Sequence, residues 1–274
     1  MKDLNNVINK YKELGIDQQI DYEKFYLYSL ITHSTAIEGS TITELENIIM
    51  FDEGISIKGK SIIEQNMNLD LKAAYERMLQ HVKDKSPVTI DRLKELSALT
   101  MKNTGTDYHT ALGDFSSAKG DFRLLNVSAG VGGRSYMDFH KVPQKTKEFC
   151  DNLNRDLQNV SSLSLEEKYN VSFDAHYNLV TIHPWADGNG RMSRLVMNWV
   201  QFQLGLIPAK IIKEDKEDYI KALVETRENE ELTIFRDFMK RTMIKNLSKE
   251  IKEYEKNTLE IKPLGKKKSR GFRM

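Results

Sequence analysis

The stretch "VTIHPWADGNGRMSRL", Val180 to Leu195, gathers a histidine, a proline, an aspartate, an asparagine between two glycines and two arginines. Pro184 stops the helix expected over 165–182, because its ring lacks an N–H and crowds the preceding turn. Gly188 and Gly190 allow backbone conformations that a Cβ disfavours, and they let an anion approach the main chain. The turn feeds a helix expected over 191–205, whose first amides point outward at the positive end of the dipole. Asn189, Gly190 and Arg191 would then form an anion nest. Arg191 and Arg194 stand three apart, so both guanidinium groups reach one polyanion, and a di- or triphosphate suits that apparatus better than a single phosphate.

Asp187 fits among these anion-binding groups if it holds Mg²⁺, which takes one or two carboxylates and completes its shell with substrate phosphates. His183, as a neutral imidazole, can take a proton from a hydroxyl that attacks phosphorus. A zinc site of the kind that uses two ligands on one helix is excluded, since Pro184, Gly188 and Gly190 break the helix. The pattern points to phosphoryl or nucleotidyl transfer.

The rest of the chain sets the frame. At 274 residues it can bury one large core, and 41 Lys and Arg against 40 Asp and Glu give a net charge of +1. That balance argues for no nucleic-acid partner. Cys150 is the lone cysteine, which excludes an internal disulfide and a cysteine-based zinc site. With no apolar run long enough for a signal or a membrane span, a cytoplasmic location is expected.

Helical periodicity dominates. Thr43 with Glu46, Ser61 with Glu64 and Ser164 with Glu167 have the spacing of capping boxes. Helices are expected near 3–14, 22–38, 44–52, 61–84, 91–103, 143–159, 165–182, 191–205, 215–228 and 231–257. One segment reads as a β-hairpin, "DFRLLNVSAGVGGRSYMDFHKV", where Phe122, Leu124 and Tyr136, Phe139 flank a turn region of Gly130, Gly132 and Gly133. Such a hairpin must lie on the helices or on a bound partner. The tail "IKPLGKKKSRGFRM" reads as a solvated basic terminus.

The run His183-Pro184-Trp185-Ala186-Asp187-Gly188-Asn189-Gly190-Arg191-Met192-Ser193-Arg194 resembles the Fic (Fido) signature H-P-F-x-D-G-N-G-R-x-x-R, with Trp185 in the phenylalanine's place. The resemblance implies a mainly α fold: a helical core with a β-hairpin flap, and extra N- and C-terminal helices. It implies a helical region over 1–90, a core over 91–245 with the flap at 120–142 and the loop at 183–194, and a helix end and basic tail over 246–274. It also implies transfer of AMP from ATP, with Mg²⁺, to a protein hydroxyl. His183 would be the general base, Asp187 the metal ligand, Gly188 to Gly190 the phosphate cradle, and Arg191 and Arg194 the grip on the outer phosphates. Gly130 and Val131 would touch the nucleotide, and the flap would dock the target by strand addition. "DYIKALVETRE" is similar to the family's adenine-side segment, so Tyr219 would contact the base; packing on an amphipathic helix is its other reading. Ile220 and Arg227 depart from the family's usual tyrosine and asparagine.

A second match is "HSTAIEGS", residues 33–40, where Ser34, Glu38 and Gly39 fit the family's inhibitory motif [ST]-x-x-x-E-[GN]. Read alone it is a helix ending at a glycine cap. The resemblance implies that Glu38 pairs with Arg194, as a bidentate partner, and blocks productive ATP binding. Two alternatives stay open: removal of AMP with Glu38 orienting water, and a nucleotide-sensing module without turnover. Serine, threonine and tyrosine acceptors, self-modification and a homodimer are all compatible with the sequence; no nucleic-acid or membrane partner is expected.

Overall fold

The computed structural model describes residues 3–129 and 135–261. Its helices are α1 (Leu4–Glu13), α2 (Tyr22–Ile37), α3 (Glu44–Glu53), α4 (Ile62–Lys83), α5 (Ile90–Thr100), α6 (Val142–Gln158), α7 (Leu165–Ile182), α8 (Asn189–Gln203), α9 (Lys216–Asn229) and α10 (Leu232–Ile261). The three capping boxes form as their spacing requires, at the starts of α3, α4 and α7. The fold is mainly α. Among the described residues no helix is long and apolar enough to cross a membrane.

Helices α7 and α8, joined by the quoted loop, form the centre of the core. Phe173 and Leu179 of α7 and Leu195 and Trp199 of α8 are fully buried, and side chains of the Leu or Phe kind each contribute roughly 1.5–3 kcal/mol on burial. Helix α4 is tied to α8 where Tyr75 Oη donates to Asn198 Oδ1 at 2.5 Å, and His81 stacks on Trp199 with ring centroids 5.4 Å apart. Helix α6 lies along α7, and α10 packs against α1, α7 and α9.

The strands correct the sequence reading. The regular hairpin is β1 (Asp107–Thr110) with β2 (Gly113–Ser116), antiparallel, with Tyr108 opposite Phe115. Its tight turn carries no Asn-Gly or Asp-Gly signal. It is closed instead by Thr110 Oγ1, which accepts from Leu112 N–H and donates to Gly113 O, and by stacking of Tyr108 on Phe115. In the stretch expected as the flap hairpin, the described pairing is one antiparallel bridge, Ser128 to Ser135, with Tyr136 N–H donating to Val127 O at 2.9 Å. Phe122 and Leu124 lie in no strand, and Phe139–Lys141 is a 3-10 helix. Gly130 and Val131 lie outside the described residues.

Candidate functional site

Helix α7 ends at Ile182, and His183 caps it in the left-handed region at φ 53° and ψ 61°. That conformation costs an L-residue roughly 1–2 kcal/mol, so the surroundings must hold it. Arg123 does so. Its Nε donates to His183 O at 2.7 Å, Nη1 to Leu125 O at 2.8 Å and Nη2 to Met137 O at 2.5 Å, while its backbone N–H donates to Pro184 O at 3.1 Å. The side chain is 1% exposed. Nothing in the sequence marks Arg123 out, because its partners are carbonyls, which leave no trace in residue identity.

Further along the loop, Trp185 is fully buried and its indole N–H donates to Gly120 O. Asn189 Oδ1 accepts from Trp185 N–H, and its Nδ2 donates to Trp185 O. The Asn189 side chain therefore closes the loop, and only its backbone amide is left to the anion nest expected here.

The His183 imidazole sits with Nδ1 3.2 Å from Val180 O. A carbonyl only accepts, so in the neutral ring Nδ1 carries the hydrogen and Nε2 carries the lone pair. Tyr136 lies over the ring, centroids 3.7 Å apart and planes 17° apart. Burial pushes the His183 pKa down to about 4; the Val180 contact opposes this, Arg123 adds to it, and the charges of Asp187 and Glu38 oppose it. The ring is neutral at pH 7.

At the start of α8, Gly188 is the N-cap with φ 81°, and a Cβ there would lie 2.8 Å from Met101 Sδ. Gly190 lies inside the helix, where a Cβ would stand 2.6 Å from Glu38 Oε1 and 3.2 Å from Arg194 Nη1. Arg191 is buried, with Nη1 donating to Thr100 O at 3.3 Å and Nη2 lying 2.9 Å from Met101 Sδ. Its Nε–H is buried with no acceptor among the described residues. Asp187 is 60% exposed along its side chain; Oδ1 accepts from Gly188 N–H and lies 4.0 Å from Arg191 Nη2. Among the described residues no group of three or more His, Cys, Asp or Glu side chains could hold a metal. A cation here would depend on Asp187 and on oxygens brought by a substrate, the ligand set magnesium commonly takes.

Arg194 meets the end of α2. Its Nε donates to Ser34 Oγ at 2.9 Å, and Nη2 donates to Ser34 O at 3.0 Å and to Glu38 Oε1 at 2.5 Å. The pairing with Glu38 expected from the sequence is present, but through one carboxylate oxygen rather than two, since Ser34 takes the rest of that edge. The Arg194 side chain is 4% exposed and that of Glu38 34%. Burial pushes the Glu38 pKa up, and the Arg194 charge and hydrogen bond, together with the charges of Arg191 and Lys216, outweigh it, leaving a net lowering. Gly39, with φ 106°, ends α2, and Ser40 N–H donates to Thr35 O.

Tyr219 is 2% exposed, with its hydroxyl 3.0 Å from His176 Nε2 and its ring beside Phe235 and Phe238. This is the environment that the packing reading describes. Burial, and then the Arg194 charge, push the His176 pKa down to about 3.

Residues 87–201 match the model of the Fic/DOC family. The chain is similar to Protein adenylyltransferase fic-1 of Caenorhabditis elegans, 26% identical over 223 residues covering 81% of this chain and 40% of that protein. It is similar to Protein adenylyltransferase Fic of Drosophila willistoni, 32% identical over 190 residues covering 69% of this chain and 34% of that protein. The chain thus spans well under half the length of these relatives. In fold it resembles a Fic domain containing signaling protein from Bacteroides thetaiotaomicron, with a TM-score of 0.76 and 21% identity over 93% of this chain and 97% of that one. Fic-1 from C. elegans is similar too, with a TM-score of 0.70 and 24% identity over 94% of this chain and 72% of that one.

Proposed function

Because the chain belongs to the Fic/DOC family through residues 87–201, we propose that it transfers AMP from ATP to a hydroxyl side chain of a protein, and that Glu38 restrains this reaction by holding Arg194. The observation that carries the reading is the contact of Glu38 Oε1 with Arg194 Nη2 beside the N-terminus of α8. A carboxylate there occupies a place suited to an anion: backbone amides of a first helical turn and two buried arginines.

His183 acts as the base. Nε2 takes the proton of the acceptor hydroxyl, that oxygen bonds to the α-phosphorus, and the bond to the pyrophosphate oxygen breaks, so pyrophosphate leaves with the electron pair. The amides of Asn189, Gly190 and Arg191 and the orphaned Arg191 Nε–H are donors for the phosphate oxygens. Asp187 would hold Mg²⁺, whose charge offsets that of the phosphates. Arg194 serves the outer phosphates once Glu38 lets go. The unpaired, buried Cys150 suits a reducing compartment such as the cytoplasm.

A second reading, removal of AMP from a modified protein, is favoured by Glu38 itself: it is partly open to solvent, and one oxygen lies outside the Arg194 contact. A homodimer is supported by exposed Leu45, Ile49, Ile55, Ile62, Ile63 and Leu69, crowded into the α3–α4 stretch that adjoins the α2 end. Ile62→Glu should lower the mass measured by light scattering, and a monomeric parent would remove the idea.

Intact-protein mass spectrometry tests the main reading. The parent, Glu38→Gly and Glu38→Gly/His183→Ala are incubated with Mg²⁺, ATP and cell lysate. An AMP-sized gain on a protein, greatest with Glu38→Gly and absent without His183, is the expected result. Equal gain in parent and Glu38→Gly removes the restraint, and gain without His183 removes the base.

A further inference from the structure

We infer that Tyr136 is the positioning residue of His183: its ring holds the imidazole in the orientation that leaves Nε2 for an incoming hydroxyl. This rests on His183 being the base, as argued above. The backbone cap fixes where His183 starts but not how its ring turns, because the torsion to an imidazole is broad and roughly two-fold. Its one ring hydrogen bond among the described residues, Nδ1 to Val180 O, is long at 3.2 Å. The near-parallel stack at 3.7 Å supplies the missing constraint.

Tyr136 is itself anchored. Its N–H donates to Val127 O at 2.9 Å, and the Arg227 guanidinium of α9 lies 6.0 Å from its ring centroid, within reach of a cation–π attraction. The charged groups around the imidazole come from four places: Arg123 from the segment after β2, Asp187 from the loop, Glu38 from the end of α2, and Arg227 from α9 through Tyr136.

Removing the Tyr136 ring opens one face of the imidazole to water and frees Nδ1–H to leave Val180 O. The misplaced base then slows transfer without loosening ATP. In the full chain carrying Glu38→Gly, Tyr136→Ala should lower kcat roughly 10- to 100-fold with KM for ATP unchanged, and Tyr136→Phe, which keeps the stack, should restore it. The pH–rate profile of Tyr136→Ala should gain an acid limb moved up toward about pH 6.5, the ordinary imidazole pKa, which Glu38→Gly alone lacks there.

Nitrogen NMR of the His183 ring, assigned by its loss in His183→Gln, reads the geometry without turnover. The parent and Tyr136→Phe should show one tautomer, with hydrogen on Nδ1, and Tyr136→Ala a mixture. An unchanged tautomer and an unchanged kcat in Tyr136→Ala would overturn the inference. If the Glu38→Gly background transfers no AMP while adding Tyr136→Ala still scrambles the tautomer, the reading of AMP transfer falls and the positioning of the His183 ring by Tyr136 stands.

Discussion

Gly190 and Glu38 are fitted to one another: a Cβ on Gly190 would stand 2.6 Å from Glu38 Oε1, closer than side-chain atoms approach a Cβ. The same Cβ would press on Arg194 Nη1 at 3.2 Å. The carboxylate and the guanidinium therefore use space that only glycine leaves open in the first turn of α8.

A double-mutant cycle measures that fit. Gly190→Ala should cost about 1–3 kcal/mol of unfolding free energy, the usual range for overpacking. In a Glu38→Gly background the loss should shrink, since the nearest clash is gone and only the Arg194 contact remains. Urea denaturation of the four proteins gives the coupling. Equal losses in both backgrounds would show that Glu38 does not fill that space in solution.

Stability should fall as the solution is acidified from neutrality, and two histidines set the window. His176 and His183 have folded pKa values near 3 and 4, below the 6.5 of an unfolded imidazole. Both are lowered by burial, so between pH 6.5 and those values the unfolded chain binds more protons than the folded one. Each contributes a slope of up to about 1.4 kcal/mol per pH unit across its part of the window, and none above it. Glu38 adds a loss at lower pH, because its depressed pKa contributes stability above the unfolded carboxylate value that vanishes as pH falls through the folded one. His176→Phe should remove one histidine's share of the slope. A urea midpoint that does not move between pH 7 and pH 5 would contradict both assignments.

Arg123 should matter more than any exposed arginine. Its guanidinium is buried and spans His183 O, Leu125 O and Met137 O, with no carboxylate in direct contact among the described residues. Arg123→Met keeps the stem and leaves carbonyls without donors, at about 1–3 kcal/mol for each group left unsatisfied. The variant should lower the melting temperature and release His183 from its left-handed conformation, so transfer by Glu38→Gly should fall as well. Unchanged melting would mean that water replaces the guanidinium.

How far the sequence discloses the fold depends on how local each signal is. The capping boxes at Thr43, Ser61 and Ser164 are legible because both partners lie within four residues, and the end of α7 is legible because Pro184 forbids continuation. The start of α8 is read two residues late, since Asn189 and Gly190 have low intrinsic preference for a helix that tertiary packing imposes. The β1–β2 hairpin is illegible because Thr110 and an aromatic stack, rather than a turn dipeptide, close it. At the site, the run from His183 to Arg194 announces itself by composition. What Gly190 makes room for, where Arg191 folds back, and what Tyr219 touches are set by α2, α5 and α7, distant in sequence, so residue type alone says little about them.

Restraint by Glu38 should depend on a residue that touches neither Glu38 nor Arg194. Asn68 of α4 is fully buried and uses its whole amide: Oδ1 accepts from Thr35 Oγ1 at 2.8 Å and Asn47 Nδ2 at 2.9 Å, and Nδ2 donates to Ser40 Oγ at 3.0 Å and Glu64 O at 2.9 Å. Thr35 and Ser40 bracket Glu38, so this amide fixes the turn that aims the carboxylate. Asn68→Leu leaves buried donors unpaired and should cost roughly 1–3 kcal/mol or more. It should also raise AMP transfer above the parent, because a loosened turn lets Arg194 go. Adding the same change to Glu38→Gly should give no further rise, since no carboxylate remains to be aimed. A variant that loses stability while its transfer stays at the parent's level would show that the Glu38 contact survives without the network, and that Ser34 and Arg194 alone hold the end of α2.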